Sequence, residues 1–354
     1  MATKTENIEV KTGGNPFGAH RVIEPQNTLP QPALRLDNNM DYIYDNEIMV
    51  EVETLNIDSA SFTQIKEEAG NDEAKIKSKI TEIVGKRGKM QNPVTGSGGM
   101  FRGKILKVGP KLKRDLKPGD KIASLVSLSL TPLKIDEIIG IKKGTEQVNI
   151  RGKAIIFESG IYAKLPSDMP ETLALAVLDV AGAPAQTKRL VKKGDTVVII
   201  GAGGKSGILC SYAAKKKAGE TGKVIGITGR DASLQKMKEM GFCDMCLKAS
   251  ATDALELYNA IHQATGGKMA DVVINCVNIQ NTEMGSILIT KEDGILYFFS
   301  MATSFTKAAL GAEGVGKDIN MIIGNGYCRD HANITLDIVR ESPKIREVYE
   351  KLYA

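Results

Sequence analysis

Val197-Val198-Ile199-Ile200-Gly201-Ala202-Gly203-Gly204-Lys205-Ser206-Gly207 is the stretch from which the organisation of this chain can be inferred. The residues before Gly201 are β-branched and do not alternate with polar residues, which is typical of a strand buried on both faces. A largely apolar run, 208–214, follows and favours a helix. Glycine permits a tight turn between the two and lets backbone N–H groups approach a phosphate at the helix start.

The glycine spacing leaves three interpretations open. It is GxGxxxG if the second glycine is Gly203 and GxxGxxG if it is Gly204, so it is not the plain fingerprint GxGxxG. A second strand at 224–228 follows at βαβ spacing and favours a dinucleotide-binding turn. The alternatives are a P-loop, which would need glycine where Ile199 stands, and a purely structural turn. The predicted cofactor-binding residues here are Gly201, Gly203, Gly204, Lys205, Ser206 and Gly207.

The end of the second strand bears on which dinucleotide binds. NAD-binding domains carry an acid about 20 residues further along the chain, where it accepts the ribose 2′-OH. Thr228 stands at that place, and Arg230 could instead meet a 2′-phosphate. Asp231 could serve NAD if the turn bends back, and both charged residues could simply cap the next helix. Spacing alone slightly favours NADP, with Thr228 and Arg230 as cofactor-binding residues.

The same texture continues through the second half of the chain. Apolar strand runs alternate with amphipathic helices at 224–227, 234–240, 254–264, 271–275 and 295–299. This alternation predicts an α/β fold with a doubly wound parallel sheet, as in Rossmann domains. Asn278 and Ser300 follow two of these strands and are predicted to bind the cofactor, because ligands bind outside the carboxyl ends of parallel strands.

The first half reads differently, as short alternating strands and turns. Strands are predicted at 47–53, 103–109 and 120–126, with one or two exposed helices in the charge-rich segment 64–90 and a helix at 171–178. We therefore predict a mostly-β domain over 1–168, a dinucleotide-binding domain over 169–330 and a helical segment over 331–354 that returns toward the first domain.

Composition narrows the class of protein. A length of 354 residues suggests roughly two domains, and a net charge of +5 with scattered basic residues argues against nucleic-acid binding. No run of about 18 apolar residues is present, so no membrane span is expected, and the N-terminus lacks the apolar region of a signal peptide. Five cysteines, an odd number, argue against a disulfide framework and favour a reducing cytoplasm.

The order of these segments resembles the medium-chain dehydrogenase/reductase superfamily along nearly the whole chain. The segments that carry the resemblance are 117–122, 163–166, 180–182 and 193–197. It implies a GroES-like catalytic domain before the Rossmann domain, with the substrate cleft between them. The GxxGxxG spacing resembles the quinone-reductase-type branch, and 322–325 followed by Arg329 resembles the last Rossmann strand, where an arginine can approach the cofactor phosphates.

The zinc-site residues of that superfamily are replaced here. Where zinc alcohol dehydrogenases place a cysteine, this chain has 55–59, and Gly99 and Met100 stand in place of their histidine–glutamate pair. A catalytic zinc needs three protein ligands, so we predict no metal. Cys243 and Cys246 form a lone CxxC, for which a structural role is expected over redox or metal chemistry.

A closer resemblance rests on 13–22, 92–100 and 178–184, which look like the L-erythro-3,5-diaminohexanoate dehydrogenase family, the zinc-free NAD-linked branch that serves anaerobic lysine fermentation. That resemblance covers essentially the whole chain. It implies oxidative deamination: L-erythro-3,5-diaminohexanoate, NAD⁺ and water give 5-amino-3-oxohexanoate, ammonium and NADH. It also favours NAD over the NADP that the spacing suggests.

Such chemistry needs a general base near the substrate amine and polar groups for its second ammonium and its carboxylate. Asp58, in the loop where zinc enzymes keep a ligand, and Asp179, after an apolar helical run, are the predicted catalytic residues. Each residue could instead have a purely structural role. Asp58 could be a turn or cap residue, and Asp179 could be a buried hydrogen-bond anchor. The predicted substrate-binding residues are Thr95, Ser97, Tyr162 and Glu158.

Two other functions stay open at this point. One is a zinc-free enoyl or quinone reductase on the same fold, and the other is a protein that binds the dinucleotide without turnover. The resemblance further implies a homodimer, in which strands near 295–328 could pair across a two-fold axis. The sequence does not settle whether 64–90 covers the cleft as a lid.

Overall fold

The computed structural model describes residues 8–142, 144–300, 302–324 and 326–354. They form two compact units, of which the first extends to Asp179 and the second covers Val180–Tyr353. No helix in the described residues combines the length and apolarity that a membrane crossing requires.

The first unit is mostly β. Its elements are β1 Glu9–Lys11, β2 Val22–Glu24, β3 Arg35–Leu36, β4 Tyr42–Tyr44, β5 Ile48–Asn56, α1 Ser59–Glu68, α2 Glu73–Arg87, β6 Met100–Val108, β7 Lys121–Ser124, β8 Leu133–Ile141, β9 Gln147–Ile156, β10 Tyr162–Lys164 and α3 Glu171–Leu178, with 3₁₀ turns at Ala19–Arg21 and Leu128–Leu130. Six strands form an antiparallel sheet in the order β10-β7-β6-β5-β9-β8. The strands predicted at 47–53, 103–109 and 120–126 correspond to β5, β6 and β7.

The charge-rich segment 64–90 is part of two helices, as predicted, but the expectation that they are exposed is only half right. Asp58 and Asp72 accept backbone N–H bonds as the N-caps of α1 and α2, and Gly88 ends α2 in the left-handed conformation. Four residues of α2 lie in the core of the unit, at the i, i+4 and i+7 spacing of one helix face: Ile76, Ile80, Ile83 and Val84. The charges seen in the sequence occupy only the outer face.

The second unit is a parallel α/β domain. Its elements are α4 Gly182–Leu190, β11 Thr196–Ile200, α5 Lys205–Ala218, β12 Lys223–Thr228, α6 Asp231–Met240, β13 Met245–Lys248, α7 Ala254–Thr265, β14 Ala270–Asn275, α8 Glu283–Ile289, β15 Thr290–Phe298, α9 Phe305–Gly314, β16 Asn320–Ile323, α10 His331–Glu341 and α11 Pro343–Leu352. The sheet order is β13-β12-β11-β14-β15-β16, which is the 3-2-1-4-5-6 order of a Rossmann domain. The predicted fold class is therefore confirmed.

Strand β11 lies at the centre of this sheet and contributes to two cores. Val197 and Ile199 pack into one cluster, and Val198 and Ile200 pack into the cluster on the opposite face. This explains why the sequence of β11 shows no alternation. The order of strands reverses between β11 and β14, so a crevice opens at their carboxyl ends, where the glycine turn begins.

The division of the chain differs from the predicted domain limits. The boundary follows Asp179 rather than residue 168, so α3 belongs to the first unit. Helices α10 and α11 belong to the second unit instead of forming a separate segment. There the Thr335 hydroxyl donates to Ala181 O at 3.1 Å and the Tyr349 hydroxyl to Lys205 O at 2.5 Å. These two hydrogen bonds hold α10 and α11 against other residues of the second unit.

Candidate active site

The glycine turn in the second unit is packed too tightly for side chains at most of its glycines. A Cβ at Gly207 would lie 2.1 Å from Gly201 O, and a Cβ at Gly203 would lie 2.7 Å from Ser233 O. Gly201 has φ +84° and faces Val277 Cγ1 at 2.7 Å. Of the two spacings in the sequence, GxGxxxG is thus the set that the packing requires.

Gly204 differs from these glycines because it faces open space. A Cβ there would meet only Gly201 O, at 3.3 Å, and its φ of −86° is accessible to any residue. It is the N-cap of α5, whose first turn receives no side-chain cap among the described residues. The start of α5 and the positive end of its helix dipole therefore form a cradle that suits a phosphate.

The end of β12 carries more positive than negative charge. Thr228 is buried and its hydroxyl accepts from Arg230 N at 3.3 Å. Asp231, the acid that could serve NAD, is paired with Lys248 at 2.7 Å. Arg230 is exposed, and burial together with this nearby guanidinium lowers the pKa of Lys236. Lys236 is a neighbour that the sequence analysis did not identify.

Other predicted cofactor-side residues lie at the carboxyl edge of the sheet. Asn278 is exposed after β14, and Ser300 follows β15 with its hydroxyl accepting from Ala302 N at 3.1 Å. Between them, buried Asn275 donates to the hydroxyls of Thr282 and Ser286 at 2.9 and 3.0 Å, which fixes the loop after β14.

Arg329 is also exposed, beyond the end of β16. Neighbouring His331 is buried beside Tyr327, and burial lowers its pKa. Asn325, part of the motif that suggested Arg329, lies outside the described residues.

In the first unit, a group of polar side chains surrounds the end of β5 and the start of α1, which we call the Asp58 cluster: Asn56, Asp58, Ser61, Thr95 and Ser97. Asp58 Oδ1 accepts from Ser61 N at 3.0 Å, so the helix-cap alternative is correct as far as it goes. Asp58 Oδ2 is buried and has no hydrogen-bond partner within the described residues. A buried carboxylate oxygen without a partner is costly, and this one can accept a proton or an ammonium donor.

Asn56 has the complementary defect. Its side chain is 1% exposed, and its Nδ2 donor has no partner in the described part of the chain. The sequence analysis did not select it. The available signal was an asparagine between Leu55 and Ile57, in a strand end whose other residues are apolar and buried.

Thr95 and Ser97 lie next to the first turn of α1, which Asp58 caps. The hydroxyls of Thr95 and Ser61 are 2.5 Å apart, and Ser97 N donates to Thr95 Oγ1 at 3.3 Å. Buried Asn92 holds this loop on α1 by donating to Ser61 O at 3.2 Å.

Glu158 and Tyr162, also predicted to bind the substrate, lie outside the Asp58 cluster. Tyr162 lies on β10, separated from β5 by two strands of the sheet. The Arg114 guanidinium stacks over its ring and also donates to Glu158 O, while the Glu158 carboxylate accepts from Asn46 at 2.9 Å. The Glu158 carboxylate and the Tyr162 ring therefore have partners in the local structure.

Asp179 ends α3, and its backbone N–H donates to Leu175 O at 3.1 Å. The residue is half-buried, unlike the preceding apolar residues. It is therefore less costly as a charge than its sequence context suggested.

The remaining candidates concern cysteines and metal. Burial raises the pKa of the Cys243 thiol to about 12, which makes it a poor nucleophile and fits the structural role expected for the CxxC pair. Over the described ranges, no three His, Cys, Asp or Glu side chains are grouped so as to hold a metal ion.

Comparison with known proteins gives matches in both units. Residues 20–166 match the family described as L-erythro-3,5-diaminohexanoate dehydrogenase N-terminal domain, and residues 207–311 match the family described as zinc-binding dehydrogenase.

Two similar full-length proteins carry the name L-erythro-3,5-diaminohexanoate dehydrogenase. The one from Acetoanaerobium sticklandii is 62% identical, and the one from Fusobacterium nucleatum is 59% identical. Each match covers 96% of this chain and 99% of the relative. Among solved structures, a quinone oxidoreductase from Coxiella burnetii matches with a TM-score of 0.55 at 17% identity, over 85% of this chain and 80% of that one. At that identity the likeness concerns the fold.

Proposed function

The chain belongs to the L-erythro-3,5-diaminohexanoate dehydrogenase family, and we propose that it catalyses the oxidative deamination of this substrate to 5-amino-3-oxohexanoate and ammonium. The observation that carries the proposal is 62% identity to a protein of that name over 96% of this chain and 99% of the relative. The reaction consumes water and reduces one nicotinamide dinucleotide.

The residues of the second unit fit such a cofactor. Gly204 and the start of α5, which has no side-chain cap in the described residues, would hold the pyrophosphate, with Lys205, Ser206 and Arg329 as further phosphate contacts. Asn278 and Ser300 would contact the nicotinamide half, and Thr228 and Arg230 the adenosine ribose. When bound, the nicotinamide ring would accept the hydride from C3 of the substrate.

NAD is proposed on the family resemblance; NADP is the alternative that Arg230 and Lys236 support.

Asp58 is the proposed general base. The amine on C3 must lose a proton before the carbon can be oxidised, and the unpartnered Oδ2 atom can accept that proton. Once that proton has passed to solvent, the regenerated carboxylate can take a proton from the water that attacks the resulting iminium. Asp179 is the second candidate for the base, or for holding the substrate's other ammonium.

Hydrogen-bond donors in the Asp58 cluster suit the remaining polar groups of the substrate. The Thr95 hydroxyl and the Ser97 backbone can bind the carboxylate, and the buried Asn56 amide supplies a donor whose cost is relieved once an acceptor arrives. Thr95 and Ser97 belong to a loop fixed by Asn92 and Asn56 ends a strand, so little ordering is needed on binding.

Assembly and compartment are part of the proposal. β16 pairs only with β15 and ends the sheet, and Met321, Ile323 and Phe305 are exposed beside it. An exposed apolar sheet edge favours pairing with a second copy, so we propose a homodimer. A reducing cytoplasm is proposed because all five cysteines, which lie in the described residues, are free thiols.

The test is the initial rate of dinucleotide reduction with L-erythro-3,5-diaminohexanoate, compared with 5-aminohexanoate, which lacks the C3 amine. Turnover of L-erythro-3,5-diaminohexanoate but not of 5-aminohexanoate, at a rate unaffected by a metal chelator, supports the proposal. No turnover, together with NADPH-dependent reduction of an enone, would instead establish the reductase alternative.

Running NAD⁺ and NADP⁺ in parallel on the native chain and R230A ranks the cofactors. Loss of a phosphate contact should weaken NADP⁺ by about 10-fold or more and leave NAD⁺ nearly unchanged.

A further inference from the structure

Two cysteines with no role in the proposed reaction lie against the glycine turn. Cys210 is on α5 and fully buried, and Cys276 follows β14 and is half-buried. Their Sγ atoms are 3.8 Å apart. The backbone N–H of Cys276 donates to Ile200 O at 2.9 Å. The pair therefore joins α5 to the end of β14, beside Gly201.

The two thiols differ in access to solvent. A small oxidant reaches Cys276 first, because Cys210 has no exposed surface. Burial raises the pKa of the Cys210 thiol and keeps it from reacting first; its part is to react second, with the oxidised sulfur of Cys276 already beside it. Cys243 and Cys246, the other close pair in the sequence, lie at the start of β13, and Cys243 packs in the same cluster as Ala202 and Cys210.

We propose that Cys210 and Cys276 form a reversible disulfide when the protein meets a peroxide, and that this bond lowers the affinity of the turn for a dinucleotide. The Cys276 sulfur attacks the peroxide, the O–O bond breaks, and a sulfenic acid and water form. The Cys210 sulfur then displaces water from the sulfenic acid. Two thiols are oxidised by two electrons in total, and one peroxide is reduced to two waters. The affinity part rests on the proposed dinucleotide site.

The effect on affinity follows from the packing of the turn. A disulfide needs an S–S distance of about 2.05 Å, so the two sulfur atoms must approach by about 1.8 Å, which draws on side-chain rotation and on movement of α5 toward the end of β14. The turn has no slack to absorb such a movement, since a Cβ at Gly207 would already lie 2.1 Å from Gly201 O and one at Gly201 2.7 Å from Val277 Cγ1. The amides at the start of α5 would therefore leave their positions.

The experiment treats the full-length protein with a small excess of hydrogen peroxide. Non-reducing peptide mapping by mass spectrometry reads the cross-link, and calorimetry measures the dissociation constants of NAD⁺ and NADP⁺. We expect a 210–276 linked peptide, a dissociation constant raised at least about tenfold, and recovery of both with dithiothreitol. C276S, or C276A if the first variant does not fold, should show the same affinity before and after peroxide. C243S should respond like the native chain.

Absence of the linked peptide would overturn the proposal, as would a linked protein of unchanged affinity or an equal loss of affinity in C276S. Reduced protein that binds neither dinucleotide would contradict the proposed function itself. That result is distinguishable, because the mass spectrum reports the cross-link independently of binding.

Discussion

Asp58 and Asp72 have the same local role and different surroundings. Each caps a helix, accepting from Ser61 N at 3.0 Å and from Lys75 N at 2.9 Å, but only Asp58 has a second carboxylate oxygen that is buried and unpartnered. Asp72 is exposed. Variants of these two residues can therefore distinguish the effect of helix capping from the effect of catalysis.

Replacing Asp58 by asparagine should lower kcat for deamination by at least about 100-fold, because an amide cannot accept the substrate proton. D72N loses the equivalent cap charge and should retain native kcat. Both variants should lose about 1 kcal/mol or less of unfolding free energy, measured in urea. Equal kinetics in D58N and D72N would reduce Asp58 to a cap and move the base to Asp179.

For single residues, the sequence predicts where a residue lies in the fold better than it predicts which side chains contact it. The loop of Asp58 and Thr95 could be located because the chain order places it after a recognisable strand. Asn56 could not be selected, because its lack of a hydrogen-bond partner depends on residues distant in the chain. The surroundings of Glu158 and Tyr162 show the same dependence: Asn46 donates to the Glu158 carboxylate and Arg114 stacks on the Tyr162 ring, and neither contact is visible in the sequence.

The glycine turn shows how one element combines a packing role with a binding role. Gly207 is needed for close approach of α5 to the turn, whereas Gly204 borders open space and has an ordinary backbone conformation. The spacing in the sequence predicts a phosphate-binding turn but does not distinguish these two roles.

G204A should fold with a nearly native urea midpoint and bind a dinucleotide at least about tenfold more weakly, since its methyl group enters the proposed phosphate cradle. G207A should instead lose about 1–3 kcal/mol of stability or more through overpacking. Calorimetric binding and urea unfolding measure the two effects. Native affinity in G204A would argue against the cradle.

A second element is the connection after α2, where Lys89 is fully buried. Its ammonium donates to Pro30 O at 2.7 Å and Gln31 O at 3.1 Å, joining this connection to an extended segment. Burial, with a smaller contribution from Arg87, lowers the pKa of Lys89 from 10.5 to about 8.

Because the unfolded chain binds the Lys89 proton more tightly than the fold does, the free energy of unfolding should rise with pH between about 8 and 10.5. K89M should lose this part of the pH dependence, whatever its stability at neutral pH. K86M, which removes an exposed lysine of α2, should retain the native slope. Urea midpoints measured from pH 7 to 10.5 would refute the assignment if K89M and the native chain change in parallel.

For the whole molecule, the sequence predicts a mostly-β domain and an α/β domain with a parallel sheet, because the alternation of strands and helices is a local signal. It does not predict where the units divide. That boundary depends on which unit α3, α10 and α11 pack into, and their amphipathic or apolar faces would suit either one.

The proposed homodimer depends on the β16 edge. I323K places a charge on that edge, where Ile323 is 58% exposed, and should convert the dimer to a monomer. I139K alters an equally exposed isoleucine, 55%, on β8 at the edge of the other sheet, and should leave the dimer intact. Light scattering after size exclusion gives the mass. A dimeric I323K, or a monomeric native chain, would rule out this interface.

The central claim is that the chain removes an amine by oxidation. Its most direct test is to measure ammonium released and reduced dinucleotide formed in the same reaction with L-erythro-3,5-diaminohexanoate. The account predicts one ammonium per reduced dinucleotide throughout the time course. Reduced dinucleotide formed without ammonium, or no reduction at all, would contradict it.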